Sequence, residues 1–146
     1  MSIDLEVPLG YNSCMNMFKK IIEWNRARGL IDREFNHKIE ASFIIEEVLE
    51  STGNIKSEEA RERALAYADE MIINPDGNPE SIVDALGDII VYATGAMGKL
   101  GYDPSQVMEE VYKEINSRTG TLIDGKFVKD QNAERYTADF THCKLN

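Results

Sequence analysis

Apolar residues recur at intervals of three and four in five stretches of the chain, and residues that start or stop helices flank each stretch. Ser13, Asn36 and Asn78 are predicted N-caps, and Gly29 and Gly53 are predicted stops. The clearest breaker is Asn-Pro-Asp-Gly, at 74–77. The predicted helices cover about 14–28, 37–52, 57–73, 79–99 and 104–117.

The end of the chain follows a different pattern. Residues 119–146 contain a predicted turn at Asp124-Gly125 and no helical periodicity. A chain of 146 residues is long enough for one domain with a sizeable core, and no internal repeat divides it. We therefore expect an all-α fold, a single-domain bundle of about five helices spanning residues 1–146, with an extended or irregular tail.

The second predicted helix interrupts an apolar run with three acids, in the segment EASFIIEEVLE at 40–50. Glu50 lies three residues after Glu47 and four after Glu46, so the three carboxylates share one face of the helix. Like charges at this spacing repel unless a cation neutralises them, and oxygen-only ligands suit Mg²⁺ or Mn²⁺. The alternative is a solvated helix face, which is the usual environment of a Glu cluster.

The fourth predicted helix carries a second acidic pair. Asp84 and Asp88 lie four residues apart and share a face, while apolar residues surround the helix on nearly every side. Such a helix is typical of the middle of a bundle, so we expect both aspartates to be buried. Buried carboxylates need a metal ion or cationic side chains, and the two acidic helices together favour the metal over a structural ion pair.

Composition narrows the class of protein. The formal net charge of −10 argues against contact with a nucleic-acid backbone, which needs a basic surface. We identify no apolar run approaching the roughly 20 residues that span a bilayer, and the N-terminal segment lacks the pattern of a signal peptide. A cytoplasmic protein without a membrane partner is expected, with Cys14 and Cys143 as free thiols.

With these motifs in place, the chain resembles the MazG-like branch of the all-α nucleoside triphosphate pyrophosphohydrolases, as a short, phage-type or stand-alone member. The family signature is EExxE on one helix, which Glu46, Glu47 and Glu50 match completely, and ExxD on a later helix. Asp88 matches the family aspartate, whereas Ala85 stands where the family has Glu, and Asp84 is the nearest substitute.

The resemblance implies a metal-dependent enzyme that hydrolyses a nucleoside triphosphate between the α and β phosphates, giving a monophosphate and pyrophosphate. It implies Mg²⁺ or Mn²⁺, with two or more ions at the five carboxylates, and Glu46 and Glu47 as catalytic residues. Glu46 is either a ligand or the general base for the attacking water. Family members are typically dimers or tetramers, so we expect a homodimer or homotetramer.

The tail provides the second region of resemblance, because related proteins follow the fifth helix with an Asn-Ser-basic step and a GK…K segment. Either these cations bind phosphate or they are solvated. In the first helix, Trp24 and Asn25 either line a nucleobase pocket or are a core indole and a surface amide. The predicted phosphate contacts are Lys113, Asn116, Arg118, Lys126 and Lys129.

Three alternatives remain open from the sequence. Within enzymes, the chain could be a dUTPase-like protein or a phosphoribosyl-ATP pyrophosphohydrolase. A fourth class, the di-metal oxygen-chemistry bundle, is not one of these three. It would need Glu-x-x-His pairs, which His37 and His142 do not form, so the sequence argues against it. A non-catalytic helical interaction module is the alternative from another class.

Overall fold

The computed structural model describes residues 9–72 and 77–146, with side chains from Met17 onwards. It confirms the all-α class, because five helices make up most of the described chain and the only sheet there is a two-stranded hairpin. The elements, in chain order, are α1 Leu9–Ala27, α2 His37–Glu50, α3 Ser57–Met71, α4 Pro79–Lys99, α5 Pro104–Ser117, β1 Gly120–Ile123 and β2 Lys126–Lys129.

Most helix boundaries follow the predicted caps. The Asn36 side chain accepts a hydrogen bond from the Ile39 amide at 3.1 Å, and Asn78 accepts one from the Glu80 amide at 2.9 Å. Gly29 and Gly53 have φ of 71° and 74°, the left-handed conformation that ends a helix.

Two predicted boundaries were wrong. Helix α1 begins at Leu9, so the backbone of Ser13 lies inside it and not at its start. One glycine near a helix end costs only about 1 kcal/mol relative to Ala, so Gly10 does not prevent the earlier start. Helix α3 ends at Met71, and the predicted turn at 74–77 lies largely outside the described residues.

The tail begins with the antiparallel β1–β2 hairpin, in which Gly120 pairs with Lys129 and Ile123 with Lys126. The predicted turn is confirmed, since Asp124 and Gly125 have φ of 48° and 82°. Positive φ at both turn residues matches the right-handed twist of two flanking strands. Regular strands therefore carry the lysines at 126 and 129, which were expected in irregular chain.

The chain divides into two compact units, residues 34–87 and residues 1–33 with 88–146. In the first unit α2 packs antiparallel to α3, where Ala60, Ala64 and Ala68 are buried in a row spaced by four residues. Small side chains at this spacing let two helices approach closely. Ser42 of α2 is also fully buried.

In the second unit α1 packs on α5, and the Trp24 indole nitrogen donates a hydrogen bond to the Ile115 carbonyl at 3.2 Å. The hairpin lies against α1 through an edge-to-face contact of Trp24 with Phe127, whose ring centroids are 5.5 Å apart. Residues 130–146, here called the C-terminal strap, return along α5 and pair with the segment that precedes it.

Helix α4 differs from its predicted environment. None of its residues is buried, and among the described residues it packs against no other helix. Val83, Val91 and Tyr92 are 67%, 66% and 78% exposed. The prediction that α4 lies in the middle of a bundle is thus wrong for the described part of one copy, in which no helix packs against its apolar sides.

By length and composition alone, α4 is also able to cross a membrane, with a mean hydropathy of 1.2 over its most apolar window. No such run was expected from the sequence. The same test is passed by helices that other protein surfaces cover, and α4 carries Asp84 and Asp88. The apolar surface of α4 is thus exposed in the described part of one copy.

Candidate functional site

The acidic motif of α2 is held in place by α3. Glu46 is only 6% exposed, and its Oε2 accepts a hydrogen bond from Arg61 Nη1 at 3.2 Å. The Arg61 guanidinium also lies 4.6 Å from the centroid of the Phe43 ring, so a cation–π contact fixes its orientation. The sequence predicted a positive charge beside the acidic cluster, and at Glu46 the Arg61 guanidinium provides it.

The other two carboxylates of the motif have different environments. Glu47 is exposed and Glu50 is half-buried. Within 9–72 and 77–146, no group of three or more His, Cys, Asp or Glu side chains is placed to hold a metal ion. The donor chemistry suits Mg²⁺, and of these carboxylates Glu46 is turned towards Arg61.

Asp84 and Asp88 share a face of α4, as predicted, but both are exposed. The expected burial is wrong for the same reason that α4 itself is exposed: the described part of one copy places no helix against it. Exposed Val83, Val91 and Tyr92 lie close to the aspartates along the helix, so a surface that covered them would also enclose these carboxylates.

Trp24 and Asn25 have contacts that account for their positions. Beyond its bond to Ile115, the Trp24 ring is covered on one face by the Arg28 guanidinium, 4.1 Å from the ring centroid. The Asn25 side-chain amide donates to the Ile21 carbonyl at 2.7 Å. These contacts favour the interpretation of Trp24 as a core indole, because a nucleobase would compete with Arg28 for that face.

The predicted phosphate contacts differ in their surroundings. Lys113 Nζ lies 2.9 Å from Glu110, and Arg118 Nη2 lies 3.5 Å from Glu114, so both are paired with acids of their own helix. Asn116 is exposed. In β2, Lys126 and Lys129 are three residues apart and therefore project from opposite faces of the hairpin.

Opposite faces exclude the simplest form of the prediction, in which the lysines at 126 and 129 close together over the same phosphates. Lys129 shares its face with Phe127, the residue that packs on α1. Lys126 shares the other face with Ile123, which is 52% exposed. Each lysine therefore needs to be tested by itself.

Sequence reasoning missed a buried carboxylate at Glu110, which fastens the C-terminal strap to α5. Its Oε1 accepts from the Tyr136 hydroxyl at 2.5 Å and from the Asp139 amide at 2.9 Å, while Lys113 Nζ donates to Oε2. These donors lower the pKa of Glu110 to about 2, the Tyr136 hydrogen bond most of all. The same bond raises the pKa of Tyr136.

Glu110 gave no signal in the sequence, because an acid three residues before a lysine resembles an ordinary surface ion pair, and its other partners come 26 and 29 residues later. Cys143 lies in the same strap and is 2% exposed, and burial raises the pKa of its thiol. It is a free thiol, as expected, and its burial makes it unreactive. The side chain of Cys14 lies outside the described residues.

Charge is divided unequally between the two units. Residues 34–87 contain four Lys and Arg against thirteen Asp and Glu, a net charge of −9 out of the total of −10. The remaining residues contain twelve against thirteen, a net charge of −1. The unit with the EExxE motif is thus suited to cations, whereas anions meet least repulsion on the unit with the hairpin.

No protein-family model, curated protein or solved structure matches this chain. The resemblance to MazG-like enzymes accordingly depends on the EExxE motif, on Asp84 and Asp88, and on the segment that follows α5.

Proposed function

We propose that this protein is a metal-dependent nucleoside triphosphate pyrophosphohydrolase, active as a homodimer or homotetramer. The observation that carries the proposal is the pairing of two features: carboxylates at helical spacing on α2, and an aspartate pair on the exposed apolar helix α4. The resemblance to MazG-like enzymes supports the same assignment.

Assembly is part of the proposal, because one copy leaves α4 uncovered and gathers no metal site among its described residues. A second copy that covers α4 would bury its aliphatic side chains and enclose Asp84 and Asp88. A bilayer is the less favourable cover, since each carboxylate at its centre costs roughly 2.5–3.5 kcal/mol on insertion scales. We therefore propose no membrane partner.

In the assembled enzyme, Glu47, Glu50 and Asp88 are the proposed principal metal ligands, with Asp84 next. Mg²⁺ or Mn²⁺ ions at these carboxylates would neutralise the triphosphate and activate water. Glu46, buried against Arg61, either completes the ligand set or accepts the proton of that water. Arg61 orients Glu46 in both cases.

An interaction module is the second candidate function, and the exposed apolar surface of α4 favours it specifically. Such a module would not need carboxylates on either helix. Within enzymes, dUTPase-like and phosphoribosyl-ATP pyrophosphohydrolase-like activities are alternatives for the same carboxylates.

A pyrophosphate-release assay over the common ribo- and deoxyribonucleoside triphosphates tests the proposal. We expect release from at least one triphosphate in Mg²⁺ and none in EDTA. Release from no triphosphate would favour the interaction module. Phosphoribosyl-ATP and dUTP belong in the same panel, because exclusive turnover of either one would select that alternative.

A further inference from the structure

Arg28 has an unusually ordered guanidinium for a surface cation. Its Cζ lies 4.1 Å from the Trp24 ring centroid and 5.3 Å from that of Phe127, and Nη1 donates to the Trp24 carbonyl at 3.3 Å. Stacking fixes the plane of the group, and the bond to Trp24 is the hydrogen bond that its five N–H donors make within the described part of the chain. A guanidinium prepared in this way loses little entropy when it binds an oxyanion.

Arg33 lies a few residues further along the chain, against the turn of the hairpin. Its Nε would lie 3.6 Å from a Cβ at Gly125, two residues before Phe127. The Arg28 guanidinium therefore contacts the Phe127 ring and Arg33 lies near Gly125, so both are next to the short segment 125–127, whose backbone is fixed by the pairing of β1 with β2. Arg33 itself is exposed.

Neither arginine has an acidic partner within 4 Å among the described residues, although acids outnumber cations in the whole chain. Arg61, Arg63 and Arg118 are each paired with a glutamate, while Arg26 and Arg135 likewise have no acidic partner within 4 Å among the described residues; the position beside the hairpin is what sets Arg28 and Arg33 apart. Arg28 and Arg33, both in the unit with a net charge of only −1, therefore carry positive charge beside the hairpin that no described carboxylate within 4 Å neutralises.

We infer that Arg28 and Arg33, beside the hairpin turn, form an anion-binding surface that takes the phosphate chain of a polyphosphate ligand. Paired oxygens on phosphate match the planar fork of a guanidinium, and Arg28 is already oriented to present it. The inference rests on the proposed function for the identity of the ligand as a nucleotide. It adds two residues that the sequence motifs did not indicate.

The test is calorimetric titration with inorganic tripolyphosphate in EDTA, so that neither turnover nor a metal ion contributes. Arg33→Gln should weaken binding about fivefold or more, as expected for the loss of a charge-assisted contact. Arg28→Lys keeps the charge and loses the fork and the stacking, and it should weaken binding about threefold or more. Arg63→Gln is the matched control for Arg33→Gln, because it removes the same charge from an exposed arginine on α3. It should bind tripolyphosphate like the unaltered protein.

Equal affinity in all four proteins, or no binding by the unaltered protein at millimolar tripolyphosphate, would overturn the inference. Thermal melting of each variant shows whether the fold is kept, and Arg33→Gln decides the question if Arg28→Lys unfolds. The two proposals fail separately. Arg33-dependent binding without any hydrolysis contradicts the enzyme alone, whereas hydrolysis with Arg33-independent binding contradicts the anion surface alone.

Discussion

The exposed side of α4 predicts how strongly a single substitution should disturb assembly. Ile90 is one of the apolar residues of α4, and its side chain is 50% exposed. Full burial of an isoleucine is worth about 1.5–3 kcal/mol, so covering the exposed half is worth about 1 kcal/mol. In a two-fold symmetric interface the residue counts twice, which gives about 2 kcal/mol, or about 30-fold in the dissociation constant.

Ile90→Lys should therefore weaken self-association by at least about 30-fold, since an ammonium in the interface adds a desolvation cost to the lost burial. Sedimentation-equilibrium measurements over a concentration series give the dissociation constants of the unaltered protein and of Ile90→Lys. Ile123→Lys is the matched control, because Ile123 is 52% exposed on the hairpin and lies outside α4. A monomeric unaltered protein at micromolar concentration, or equal effects of the two substitutions, would refute the reasoning.

Three further predictions concern stability, pH dependence and activity. Arg61→Leu removes the guanidinium that donates to Oε2 of buried Glu46 and should lower the free energy of unfolding by about 1.5–3 kcal/mol in urea denaturation, whereas Arg63→Leu, at an exposed pair, should change it by less than about 1 kcal/mol. Glu110 has its pKa lowered from 4.5 to about 2 by the folded state, so its stabilisation of the strap is present above pH 4.5 and lost as pH falls towards 2. The protection factor of the Asp139 amide, which is the intrinsic exchange rate at each pH divided by the observed rate, should fall through that window and in Glu110→Gln at neutral pH, but not in Glu109→Gln; an unchanged protection factor contradicts this account. Asp84→Asn should abolish most pyrophosphate release with the melting temperature unchanged, and near-normal turnover would show that Asp84 is only structural.

The local features of the fold follow from the sequence, because the interactions that fix them lie within a few residues. Asn36 and Asn78 bond amides two or three residues ahead, and Asp124-Gly125 forms the turn by its own conformational preference. The hairpin strands were not predicted because each has only four residues, too few to show alternation.

The contacts that shape the candidate site are long-range, and no local pattern announces them. Glu46 meets Arg61 across 15 residues, and Glu110 meets Tyr136 across 26. Both cases show a buried carboxylate neutralised by protein groups. The sequence likewise shows that α4 is apolar on nearly every side, but this pattern is the same whether the covering surface comes from the same copy or from another.

The central claim is that the carboxylates of α2 and α4 support hydrolysis of a nucleoside triphosphate between its α and β phosphates. Phosphorus NMR of the reaction products tests it most directly, because the technique distinguishes monophosphate plus pyrophosphate from diphosphate plus phosphate. With Mg²⁺, we predict monophosphate and pyrophosphate in equal amounts, and no products in EDTA or from Glu50→Gln. Diphosphate and phosphate as products, or undiminished hydrolysis in EDTA or in Glu50→Gln, would contradict the account.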